Sequence, residues 1–325
     1  MKKAIMVLSM LLILSVSGCV SNDFFKMFVG GGGGTVTQSP DIIVLENMGV
    51  IPAGSVKADT DFTVYFDIRN QGEIGAPALR SVIMTLYNWG ACHVTGTFQP
   101  GVWSPQPTTK PVSYSHLFDE IVSNQVERIE MPFKAPTLSE IGFMEADCPV
   151  DWSVSYNFNA RTNDDFTVIS TDRLNTLQRA GEAWKSNDQP QYVGIGPVKM
   201  YIDFKTPMPV REGNAIQFSV QAEDQGMGTY PSVKQGTFYL KVPSTWTGET
   251  NPCGEKLIES GTEGEYKVYR NTNLNITMIN RKTPEIICQF KAPTITTPEK
   301  SYNVYTNITG YDYVTYGSQS VHVVP

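Results

Sequence analysis

Apolar and polar residues alternate with a period of two along several stretches of this chain. Phe62, Val64, Phe66 and Ile68 fall on one face, and Thr63, Tyr65, Asp67 and Arg69 on the other. That pattern predicts a half-buried antiparallel strand. A longer alternation puts Val150, Trp152, Val154, Tyr156, Phe158 and Ala160 inward, with Asp151, Ser153, Ser155, Asn157, Asn159 and Arg161 outward. Asn163-Asp164-Asp165 is expected to turn it into a further strand, Phe166-Thr167-Val168-Ile169. Shorter strands are predicted at Pro40 to Leu45, Val82 to Trp89, and around Ile129, Met131 and Phe133. In the second half they fall at Val198 to Phe204, Ile216 to Ala222, Phe238 to Val242, and around Ile286, Cys288 and Phe290. One segment has helical spacing instead. Leu174, Leu177, Gly181 and Trp184 follow Ser170 or Thr171 as N-cap, which predicts a thirteen-residue helix closed by Asn187-Asp188-Gln189-Pro190.

The strands occur twice. Phe133-Lys134-Ala135-Pro136-Thr137 returns 157 positions later as Phe290-Lys291-Ala292-Pro293-Thr294. Phe62 to Gly72 matches Ile216 to Gly226 at an offset of 154, and both end in Gln-Gly. Two landmarks in one order at nearly one spacing indicate a duplicated unit of about 130 to 150 residues. Seven or so short strands per unit read as a β-sandwich of immunoglobulin type. The expected architecture is all-β: one Ig-like sandwich over residues 41–171, a short helical linker over 172–193, and a second Ig-like sandwich over 194–325.

Pro40-Asp41-Ile42-Ile43-Val44, the later Pro52-Ala53-Gly54 and the strand closing in Asn70-Gln71-Gly72 resemble the CARDB-type Ig-like module. Such modules stand in tandem in bacterial and archaeal surface proteins. The resemblance covers mainly the first two strands of each repeat. It implies a structural or adhesion-related role and carries no catalytic residue.

The N-terminus adds a location. Lys2-Lys3 precedes a thirteen-residue apolar run, Ala4 to Val16, too short for a comfortable span and suited to a secretory signal. Val16-Ser17-Gly18-Cys19 resembles a lipobox, so residues 1–19 are expected to be a signal peptide with lipidation at Cys19. Residues 20–40, with Gly30 to Gly34, are expected to tether the body to the membrane. Five cysteines is an odd number. Setting Cys19 aside leaves Cys92 and Cys148 in the first repeat and Cys253 and Cys288 in the second, one disulfide per repeat in an oxidising compartment.

Net charge is −7 with 18% charged residues and no basic cluster, which argues against a nucleic-acid partner. No phosphate loop, HExxH, GxSxG or CxxC spacing occurs, so no catalytic residue, metal or cofactor is expected. Asp59, Asp61, Asp164 and Asp165 lack the ordered spacing of a calcium loop. Two aromatic groups remain as candidate binding surfaces. Phe98, Trp103, Tyr114 and Phe118 lie in a proline-rich insert, Thr97 to Phe118, where they either anchor a partner or cap the sandwich end. Tyr302, Tyr305, Tyr311, Tyr313 and Tyr316 either stack on sugar faces or serve as ordinary strand residues. Asn275 and Asn307 begin N-glycosylation sequons. The functional expectation is a non-catalytic, membrane-anchored surface lipoprotein with a protein or glycan partner. A ligand-binding module and an accessory subunit of a larger complex remain as alternatives.

Overall fold

The computed structural model describes residues 41–72, 79–106, 113–185, 191–248 and 250–325. The signal segment, Cys19 and the tether lie outside these residues, as do Pro107, Pro111 and residues 187–190. The first half contributes β1 (Ile43–Ile51), β2 (Val56–Lys57), β3 (Asp61–Asn70), β4 (Leu79–Asn88), β5 (His93–Val94), β6 (Ser104–Gln106), β7 (Ser113–Ile121), β8 (Val126–Lys134) and β9 (Ala146–Ile169). Helix α1 (Thr171–Ala180) follows. The second half contributes β10 (Tyr192–Val193), β11 (Val198–Phe204), β12 (Val210–Arg211), β13 (Ala215–Asp224), β14 (Ser232–Val233), β15 (Phe238–Pro243), β16 (Thr247–Gly248), β17 (Ile258–Glu263), β18 (Tyr266–Arg270), β19 (Ile276–Thr277), β20 (Ile286–Lys291) and β21 (Glu299–Val324).

Each half has its own four-stranded sheet, β1-β3-β8-β5 in the first and β11-β13-β20-β16 in the second. The opposing sheet is common to both. Its order, β17-β18-β15-β21-β9-β4-β7-β6, reads as the same four strands counted outward in each direction from its centre. There β9 and β21 pair antiparallel from Ile169↔Glu299 to Ala146↔Val323. At about 3.3 Å per residue each of these strands is about 80 Å long. The first part of β9 lies in the first sandwich, where Trp152 stacks on Phe66 with centroids 4.4 Å apart. Its last part lies in the second, where Phe166 meets Phe204 at 4.7 Å and Trp246 at 5.4 Å. The short strands complete the exchange. β2 pairs in parallel with the end of β21, and β12 with the end of β9.

Three sequence expectations change here. The halves share one body: residues 40–325 form one compact unit, and buried residues of both halves make one core. Nor do Asn163-Asp164-Asp165 make a turn. They pair with Tyr305, Val304 and Asn303, and Asn163 also faces Tyr192 of β10. Ladder bonds of this kind outweigh the turn preference of the individual residues. The helix is also shorter than expected. Ser170 caps it by accepting the Arg173 N–H at 3.2 Å, and Gly181 ends it in the left-handed conformation with φ 67°. Trp184 therefore lies beyond the helix, and its indole N–H donates to Glu299 at 3.2 Å. Glu299 also holds Arg173, at 3.2 Å, so α1 is docked at the start of β21.

The repeated pentapeptide is a structural corner in both halves. Phe133 and Phe290 are buried at the ends of β8 and β20. The alanine two positions on donates back across the corner, Ala135 to Thr60 at 2.9 Å and Ala292 to Asn214 at 2.8 Å. Proline then ends the ladder, having no N–H to give.

Candidate functional site

Tyr156 lies opposite Tyr313 in the β9–β21 ladder, and they are separated by 157 residues, the offset of the pentapeptide. The pair lies near the middle of the ladder, close to the pseudo-two-fold axis that would relate the halves. Around it sits a buried polar group. Asp224 accepts from the Tyr313 hydroxyl at 3.1 Å and pairs with Arg281 at 3.0 Å. The Tyr313 oxygen accepts the Gly228 N–H at 2.8 Å, and Asp41 accepts the Met227 N–H at 2.9 Å. Burial, followed by the nearby carboxylate charges, pushes the Tyr313 phenol well above its ordinary range. Burial likewise raises Tyr156, Tyr230 and Tyr311. These phenols stay protonated at any physiological pH. With Asp41 of the first half holding the Met227 N–H of the second, and the Tyr313 hydroxyl held between Asp224 and Gly228, the group ties the two halves together.

A different arrangement faces solvent on the shared sheet. Gly310, at φ 61°, forms an irregularity between Ile308 and Tyr311, and its N–H is held by the Asn159 side chain at 2.7 Å. The extra residue reverses which side chains point inward. Before it, Tyr302, Val304, Thr306 and Ile308 are buried; after it, Tyr311, Tyr313 and Thr315 are. The five tyrosines thus do not form one row. Tyr305 and Tyr316 face outward, and the other three are buried.

Tyr305 stands between Lys241 of β15 and Asn163 of β9, while Asn307 stands between Tyr239 and Arg161. Arg161, Asn163, Lys241, Tyr305 and Asn307, together with Tyr266, line a groove of about 580 Å³. Tyr266 meets Tyr305 edge to face at 5.4 Å. The rim is ordered by charge. Glu263 binds Lys241 at 2.5 Å and Arg270 at 3.5 Å, and the Arg270 guanidinium lies 4.2 Å over the Tyr239 ring. The hydrogen bond from Lys241 holds the Glu263 carboxyl below the usual range. The groove contains aromatic faces, amides and cations, with no pair of carboxylates and no histidine in its lining. Such a set suits binding and orientation of a ligand.

The other predicted sites fall elsewhere. Phe98 and Phe118 are buried and Trp103 and Tyr114 partly so. Phe98 packs edge-on against both Trp103 and Tyr114 at 5.2 Å, and the Trp103 indole donates to Pro100 at 3.1 Å. These rings close the end of the first sandwich. Cys92 is bonded to Cys148, and Cys253 to Cys288. Asn275 uses its side-chain oxygen to hold the Gln235 N–H at 2.7 Å, while Asn307 lies in the groove. Asp59 contacts Lys134 at 2.8 Å, and among the described residues no group of three or more His, Cys, Asp or Glu could hold a metal. Sequence reading did not find the groove as a unit. Arg161 was legible as an outward residue, but Asn163 was expected in a turn, and Lys241 and Tyr266 join them only through strand pairing.

No family model and no curated protein matches the chain. Several solved structures are similar at a low level, among them the following three. Chitinase ChiA74 from Bacillus thuringiensis is 9% identical with a TM-score of 0.21, over 79% of this chain and 28% of that one. The chain thus spans little more than a quarter of the chitinase. A putative membrane anchored protein from Corynebacterium diphtheriae is 8% identical with a TM-score of 0.22, over 87% and 92%. The B domain of a biofilm associated protein is 9% identical with a TM-score of 0.21, over 82% and 72%. Likenesses at this level carry no argument about function.

Proposed function

We propose that this is a non-catalytic surface protein, exported and held to the membrane by lipid at Cys19, that presents a stiff double sandwich for adhesion or envelope assembly. The observation that carries the reading is the β9–β21 ladder, which spans both halves and leaves no hinge between them. A rigid body about 80 Å long is suited to holding a contact surface away from a membrane. Support comes also from two disulfides, which belong to an oxidising compartment. The resemblance to CARDB-type modules is part of this reading and rests on the sequence motifs alone.

The test is made in cells. Fatty-acid labelling is expected on the natural chain and lost with Cys19→Ser, which should also move the protein from membrane to soluble fractions. External protease should remove it from intact cells. Equal membrane retention of the Cys19→Ser chain, or full protection from protease, would overturn the reading. Cross-linking on intact cells then identifies what stands beside the body.

A further inference from the structure

We propose that the groove on the outer face of the shared sheet binds an oligosaccharide. It goes beyond the tethered-surface reading and does not depend on the lipid. Tyr266 and Tyr305 are set edge to face, so at least one ring can present its flat side to the C–H face of a sugar. Asn163 and Asn307 each carry a paired donor and acceptor, the complement of vicinal hydroxyls. Lys241 is fixed at the rim by Glu263. The volume of about 580 Å³ lies within the roughly 300–1,000 Å³ of small-ligand sites.

Other ligand classes fit less well. No aliphatic residue lines the groove, so an aliphatic peptide side chain would find only the two tyrosine rings among amides and cations. Glu263 at the rim and a net charge of −7 oppose a nucleic acid. The other half of the same sheet supplies an internal control. There the outward positions carry Ile83 opposite Leu117, with Tyr316 opposite Ser153, and no comparable set of amides and cations occurs among the described side chains.

The experiment uses the full-length chain in detergent on a printed panel of neutral and carboxylated oligosaccharides. Binding to at least one member is expected. Tyr305→Ala and Tyr266→Ala should each weaken it about tenfold or more. Tyr305→Phe, which keeps the ring, should retain most of it, and Tyr316→Ala should leave it unchanged. Hydrogen exchange on the unaltered protein provides a readout that needs no variant. The bound oligosaccharide should slow exchange at residues 161–163, 239–241 and 305–307. No binding across the panel, binding indifferent to both alanine variants, or protection confined to other segments would overturn the proposal. Cys19→Ser fractionation tests the anchoring separately, so either idea can fail alone.

Discussion

In the first half the turn after β3 is closed by Asn70, whose side-chain oxygen accepts the Gly72 N–H at 2.8 Å and whose amide reaches the Ile121 carbonyl at 2.8 Å. In the second half Asp224 occupies the same place and takes the Gly226 N–H at 3.1 Å, but binds Arg281 and Tyr313 as well. The following glutamine bonds backward identically, Gln71 to Ile42 and Gln225 to Pro197, each at 2.7 Å. Ala58 and Glu212 make a similar pair. The backbone N–H of each meets a long-strand carbonyl, Val324 at 2.8 Å or Ile169 at 3.0 Å. Only Glu212 then uses its carboxylate to hold the Thr171 and Ile295 N–H groups. The duplicated backbone plan has been kept, while the second half has taken on charged clamps at the axis and at the helix. The disulfides differ too. One ties the loop after β4 to β9, and the other ties the loop after β16 to β20.

The sharpest way to break the comparison is to ask whether the halves unfold separately. Trp152 and Trp246 are fully buried in opposite sandwiches, and truncating either to alanine should cost about 3–5 kcal/mol. Both variants should shift one common denaturant transition, seen alike by near- and far-ultraviolet circular dichroism. Two separate transitions would mean that the shared sheet does not couple the halves. Removing the Cys92–Cys148 bond should cost up to about 4 kcal/mol by the chain-entropy relation, and removing Cys253–Cys288 slightly less, because the sequence separations are 56 and 35. Equilibrium unfolding of the paired Cys→Ser variants gives the order.

Asp224→Asn makes the second half imitate Asn70. It keeps an acceptor for Gly226 and loses the charge facing Arg281, at an expected cost of about 2 kcal/mol. An unchanged midpoint would show that the charge at the axis adds nothing. The smallest effect is expected from Glu212→Ala, which imitates Ala58. The Thr171 N–H, then that of Ile295, holds this carboxyl below the usual range. A lowered folded-state pKa contributes stability above the unfolded value and loses it as pH falls through the folded one. The gap between natural and variant chains should therefore be present at neutral pH and close under acid conditions. Thermal melts across that range check it.

Much of the architecture was legible because period-two alternation is a local property. Phe62–Ile68, Val150–Ala160 and Ile216–Ala222 announce their buried faces residue by residue, and the pentapeptide aligns the halves. What the alternation omits is the partner of each strand. Asn163-Asp164-Asp165 carries turn-forming residues and became mid-strand because β21 and β10 supplied ladder bonds. The tyrosines of β21 looked like one row until Gly310 inserted a residue and reversed the face. The groove was hidden for the same reason: Arg161, Lys241, Tyr266 and Tyr305 come from four strands, and only register brings them together.

The sequence by itself determined an all-β chain, its duplication, the inward-facing residues and a cysteine pair for each half. The tertiary structure alone decided that two sandwiches would share one sheet. It also decided that a tyrosine pair would mark their axis and that a polar aromatic groove would form on the outer face. Burial preference is written into each side chain and its neighbours two positions away. Pairing register is set by contacts across more than a hundred residues, where many registers satisfy the same local pattern and the packed whole selects one.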